Sequence, residues 1–158
     1  MHAEEQAEHR WLKRILGDWS MEASCSMGPD QPPGQFKGKE TVRALGDVWV
    51  IGEGEGEMPG GGIGRNVITL GYDPQRQRFV GTFVGSMMTH LWVYDGELNG
   101  DVLTLNAQGP SFNDPTKLSH YQDIVTLRSD DERILTSQVK GDDGQWTQFM
   151  TATYRRTR

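Results

Sequence analysis

At 158 residues the chain has the size of one domain and enough length for a single hydrophobic core. Its net charge of −6 argues against nucleic acid, whose binders carry a basic patch; the one dense basic cluster, Arg155, Arg156 and Arg158, reads as a solvated chain end. A lone cysteine, Cys25, forbids an internal disulfide, residues 1–16 lack the apolar run of a signal peptide, and no stretch approaches the roughly 18–20 apolar residues that span a bilayer, so a cytoplasmic location without membrane contact is expected.

Residues 3–16 read as a helix. Ala7, Trp11, Leu12, Ile15 and Leu16 form one apolar stripe. Glu4, Glu5 and Glu8 come early and Arg10, Lys13 and Arg14 late, which suits the helix dipole at both ends. Gly17 is placed to stop the helix. The stripe reads as a lid on the domain.

After Gly17 the apolar period falls to 2. Residues 18–27, 36–45, 47–57, 64–73, 77–85, 87–95, 101–107, 121–129, 133–140 and 145–155 each read as a strand. Turn signals separate them: Pro29, Pro32, Pro33 and Gly34; Gly46-Asp47; Pro59 through Gly62; Asp73-Pro74; Asp95-Gly96; Asn99-Gly100; and Asp143-Gly144. Segment 108–120 reads either as a loop over a barrel mouth or as an inert connection. Ten short strands must close, or pack as two sheets, to hide their edges. An apolar content of only 35% with 20 glycines suits closure around a small interior. The expected fold is mainly β: an antiparallel up-and-down barrel over 18–156 behind the N-terminal helix, one domain over 1–158.

Gly and Glu alternate along 52–57. On a strand Glu53, Glu55 and Glu57 share a face about 6.6–7 Å apart, too far for one ion held at about 2–2.6 Å. They read as a solvated face, with the alternative that Glu53, near Trp49 and Ile51, turns inward as a buried acid. Gly60 to Gly64 lies between strands and lacks a following Lys-Ser/Thr pair, so it reads as a hairpin and not a phosphate loop. His2, His9, His90 and His120 form no ligand-spaced pair, and no metal site is expected.

Met88, His90, Trp92 and Tyr94 share one face of the predicted strand 87–95. Met87, Thr89, Leu91 and Val93 share the other, which reads as core. The first face suits a small-molecule pocket, with an oligomer contact as the alternative. In the last strand Trp146, Gln148, Met150, Ala152 and Tyr154 alternate with Thr147, Phe149, Thr151, Thr153 and Arg155. Tyr121, Asp123 and Val125 alternate likewise. If the Trp146 face is inward, Gln148 and Met150 line the same interior as His90; period alone does not choose the direction.

The run Leu16-Gly17-Asp18-Trp19, between a helix and a strand, resembles the Gly-x-Trp pattern of calycins, the lipocalin and fatty-acid-binding superfamily. That resemblance implies that Trp19 plugs one barrel end and that Arg155 or Arg156 of the last strand packs on it. Nearly the whole chain resembles a bacterial family known as domain of unknown function 1579. Gly54 through Gly62, Leu70-Gly71-Tyr72-Asp73-Pro74, Gly85 through Tyr94, and Gly144 through Thr151 carry the likeness. The family implies a calycin-like barrel and brings no established activity.

The leading functional reading is binding of a small, partly apolar molecule inside the barrel, with Met88, His90, Trp92, Tyr121, Gln148, Met150 and Glu53 as ligand contacts. A second is an enzyme of hydrolase, lyase or isomerase type with His90 as acid or base. A third is a homo-oligomeric interaction module. No cofactor is expected; haem on an axial His, suggested by resemblance to haem-binding barrels, is a minor variant.

Overall fold

The N-terminal stripe forms a shorter helix than its period predicts. In the computed structural model, which describes residues 2–158, α1 spans Ala7–Lys13 instead of 3–16. Ala7 is exposed, so burial rewards the stripe only from Trp11 onward. His9 fixes the start: the Gln6 backbone N–H donates to its Nδ1 (2.9 Å), which leaves Nε2 protonated to donate to the Tyr72 carbonyl (2.9 Å). Gly17 ends the segment at φ +126°, as its position predicts.

Ten strands follow: β1 (Gly17–Cys25), β2 (Gly34–Leu45), β3 (Trp49–Glu57), β4 (Ile63–Asp73), β5 (Arg78–Gly85), β6 (Trp92–Asn99), β7 (Val102–Pro110), β8 (Leu118–Ser129), β9 (Glu132–Lys140) and β10 (Trp146–Arg156). Each pairs antiparallel with its chain neighbour, and β1 closes on β10 from Trp19↔Arg156 to Cys25↔Met150. The sheet is a closed barrel without a free edge, as expected.

Two strand boundaries depart from the period reading. β6 begins at Trp92, not at residue 87, and runs through Asp95-Gly96 to turn at Asn99-Gly100. Gly96 lies inside the ladder opposite Leu105, where an added Cβ would meet the Thr104 carbonyl oxygen at 2.7 Å. It admits a neighbouring strand and makes no turn. Segment 108–120 is a loop only in its middle: Gln108↔His120 and Pro110↔Leu118 continue the β7–β8 ladder, and residues 111–117 form the connection at the open end.

The two barrel ends differ. One has the tight connections 46–48, 74–77, 100–101 and 130–131, and α1 lies across it. Trp11, Leu12, Ile15 and Trp19 pack there against Phe79, Leu103 and Leu127 as one core. The other end carries the longer connections 26–33, 58–62, 86–91, 111–117 and 141–145.

Trp19 closes the first end. It is 1% exposed, and its Nε1 donates to the Ile15 carbonyl (2.9 Å). Arg156 stacks 4.3 Å from one ring centroid and Arg133 4.7 Å, a cation–π arrangement. Arg156 also donates through Nη2 to Arg14 O (2.7 Å) and through Nη1 to Leu16 O, tying the last strand to the end of α1. Arg155 does not take this place. Trp19 and Arg156 are register partners, so alternation sends Arg155 to the outer face, where it meets Glu132 at 3.7 Å.

Replacing Trp19 by Ala should destabilise the protein by about 3–5 kcal/mol in urea unfolding, since it removes the largest buried side chain of this end. The lid itself should respond to acid. Asp101 accepts from Trp11 Nε1 (3.1 Å) and Arg14 Nη1 (2.8 Å), which hold its carboxyl below the ordinary value of 3.8. A depressed native value adds stability above the unfolded value and loses it as pH falls through the native one. Amide exchange in α1 should therefore stay slow at pH 4 and rise at lower pH, with Asp101→Asn flattening that step.

Candidate functional site

Alternation sends one side chain in two into the barrel, and these do not fill it. A cavity of about 260 Å³ remains, room for roughly eight waters at ~30 Å³ each. Its floor is Trp11, Leu12 and Ile15, and its wall is largely apolar, including Phe83, Leu105, Val125 and Met150. Gly52 makes room in the wall for two side chains: a Cβ there would lie 2.8 Å from Ile68 Cγ2 and 2.9 Å from Glu40 Oε2.

Two polar groups interrupt the wall. In the first, Arg133 Nη2 pairs with Glu40 Oε1, both side chains buried, while the guanidinium lies between Trp19 and Tyr154, 4.1 Å from the Tyr154 centroid. Arg133 Nε is buried without a partner. In the second, Tyr94 Oη donates to Asp123 Oδ2 (2.5 Å) and Ser137 Oγ to Oδ1 (2.6 Å). Burial pushes the Asp123 carboxyl above its ordinary value, against the two hydroxyls that lower it. Burial, reinforced by the Asp123 charge, drives the Tyr94 phenol well up, and burial raises that of Tyr154.

Toward the open end a second space of about 180 Å³ shares Met21, Glu40, Asn66 and Tyr154 with the first. Gly54, Gly56 and Gly64 face it, with Met58 and Met87 lying over Gly64; a Cβ there would be 2.9 Å from Met58 Sδ and from Met87 Cε. This side of the mouth is closed by flexible thioethers over bare backbone. On the opposite side stands an edge-to-face aromatic cluster: Trp92–Tyr121 at 4.9 Å, Phe112–Tyr121 at 5.8 Å and Phe112–Phe149 at 5.1 Å.

The residues expected to meet a ligand separate into three places. Met150 lines the main cavity. Met88, His90, Trp92 and Tyr121 do come together, but in and beside the aromatic cluster at the mouth. Trp92 Nε1 donates to Met88 Sδ (2.9 Å), His90 sits edge-on to Trp92 (4.8 Å), and Tyr121 Oη donates to Pro110 O (2.6 Å). His90 itself opens to an outer groove with Leu91, Val93 and His120, and its Nε2 lies 2.8 Å from the Gln108 carbonyl oxygen.

Gln148 and Glu53 lie outside. Gln148 pairs in register with Gln138, whose amide continues an outer ladder through Gln122 to Asn106. A β-bulge between Gln148 and Met150 inserts Phe149, so the inward parity of Met150 does not extend to Gln148. Glu53 is exposed and pairs with Arg43 (3.3 Å), as the solvated-face reading has it. The face of Leu91 and Val93, read as core, is the exposed one.

Sequence reasoning missed Glu40, Arg133 and Ser137 as interior groups. Their only signal was an inward parity shared with Val42 and Leu135, which charged and hydroxyl side chains disguise. No histidine lines the cavity among the described residues, so its donors do not fit a His-ligated haem.

Glu40→Ala should cost about 3–5 kcal/mol, because it strands the Arg133 charge in the interior. Replacing Glu40 by Leu and Arg133 by Met together should cost much less. Urea unfolding of the two variants beside the wild type checks this.

Several solved structures share the architecture. Rv2717c from M. tuberculosis is 14% identical with a TM-score of 0.63, covering 98% of this chain and 100% of its own. The S-type phycobiliprotein lyase CPES from Guillardia theta is 11% identical with a TM-score of 0.65, covering 97% and 94%. A redesigned β-barrel, mFAP1, bound to DFHBI, is 14% identical with a TM-score of 0.51, covering 93% and 99%. At these identities the likeness is one of fold. No curated protein matches the chain. Residues 4–156 match DUF1579, a family described as protein of unknown function, and the chain belongs to that family.

Proposed function

We propose that the protein binds a small, partly apolar molecule inside the barrel, reached from the end bounded by 26–33, 58–62 and 86–91. The observation that carries this is the cavity of about 260 Å³, floored by α1 and walled by apolar side chains with a few fixed polar groups. A cavity lined by short side chains such as Ala23 and Ala152 is an arrangement suited to a ligand. The neighbouring barrel bound to DFHBI supports the reading by analogy of fold. Met150 is the expected contact retained in the wall, with Trp92 and Tyr121 at the mouth.

The catalytic alternative required His90 beside a titratable partner within the cavity. His90 instead meets a backbone carbonyl in an outer groove, and the reading loses its main support. Exposed Met88, Leu91, Phe112 and Leu118 around the open end favour a second reading, self-association through that rim. Light scattering on the wild type separates the two; a monomer at all concentrations removes the second.

A metabolite screen by thermal shift and Trp fluorescence should yield a ligand that raises Tm. Ala152→Leu, which fills cavity space opposite Ala23, should weaken that ligand about tenfold or more while changing stability by less than about 1.5 kcal/mol. A ligand whose affinity ignores Ala152→Leu would place binding elsewhere.

A further inference from the structure

We propose that the interior selects an organic cation: a partly apolar molecule whose ammonium group pairs with Asp123. The proposal rests on the binding reading above and names the chemistry of its ligand.

Asp123 sits on β8 between inward-facing Tyr121 and Val125, opposite Ser137, and lines the cavity. Asp123 is less buried than Arg133, and both line the cavity. Each oxygen accepts one hydroxyl, Oδ2 from Tyr94 (2.5 Å) and Oδ1 from Ser137 (2.6 Å). One hydroxyl on each oxygen leaves acceptor capacity on both when the group is ionised.

The charges inside the barrel do not cancel. Glu40 and Arg133 neutralise each other. Among the described residues Asp123 has no cationic partner, and its neighbours Tyr94, Ser137 and Tyr154 bring none. When ionised, Asp123 is an unpaired negative charge in a low-dielectric space; burial alone favours its neutral form, and a bound cation favours the charged one. A carboxylate ligand would add a second like charge. A neutral ligand would leave Asp123 uncompensated. An ammonium cancels the charge and donates to the open lone pairs.

The walls fit such a group. Tyr94 and Phe83 bring aromatic rings to the lining, and Met21 and Met150 bring polarizable sulfur. A metal ion is not the cation in question: no group of three carboxylate, His or Cys ligands forms among the described residues.

Calorimetric titration of the full chain at pH 7 with hexylamine, hexanol and hexanoate tests the proposal, since the three share one apolar tail. Hexylamine should bind at least about tenfold tighter than hexanol, and hexanoate most weakly. Asp123→Asn should retain hexanol binding and lose the amine preference. Hexanol binding as tightly as hexylamine, or an amine preference that survives Asp123→Asn, overturns the cation proposal and leaves the cavity reading standing. Absence of binding by all three overturns both. If Asp123→Asn does not fold, the wild-type ranking decides alone.

Discussion

The stacking of Trp19 between two guanidinium groups organises this molecule. Trp19 begins the first strand and Arg156 ends the last, so their contact forms where the sheet closes on itself. The same Arg156 holds the carbonyls of Arg14 and Leu16 at the end of α1. Barrel closure and lid docking therefore share one side chain. Placing the helix C-terminal carbonyls over a cation satisfies acceptors that would otherwise face the core without partners.

The second guanidinium carries a consequence into the interior. Arg133 enters the barrel beside Trp19, and a buried charge there needs a partner, which Glu40 supplies from β2, with β1 and β10 between the two strands. The pair lines the main cavity above the lid residues Trp11, Leu12 and Ile15. Toward the open end the glycines of β3 and β4 are covered by Asn66, Met21, Met58 and Met87, and the remaining space is smaller.

The two rims of the mouth differ physically. Trp92, Tyr121, Phe112 and Phe149 form interlocked rings, one of them lying on Gly109, where no side chain could intervene. Met58 and Met87 across from them have free torsions and soft contacts.

Much of the architecture was legible in the residues. Ten strands, a helical lid and Gly17 as its stop follow from period and turn chemistry, which are local; Trp19 as the plug is what the resemblance of the Gly-x-Trp run to calycins implies. The Gly-Glu alternation over 52–57 likewise separates an outer acidic face from an inner bare one. Where the reading failed, the cause was an interruption of alternation. The bulge at Phe149 reversed the parity of Gln148, and the late start of β6 left Met88 and His90 outside the strand that was to carry them. Choosing Arg156 over Arg155 required register, which is a relation between two strands about 135 residues apart in the chain. Sequence by itself determined the elements and their order, because hydrophobic period and turn residues act over a few positions; closure rests on β1 pairing with β10. Only the tertiary structure decided which polar groups share the interior. Glu40, Asp123 and Arg133 lie on three separate strands, and their charges meet only where the closed barrel brings those strands around one cavity.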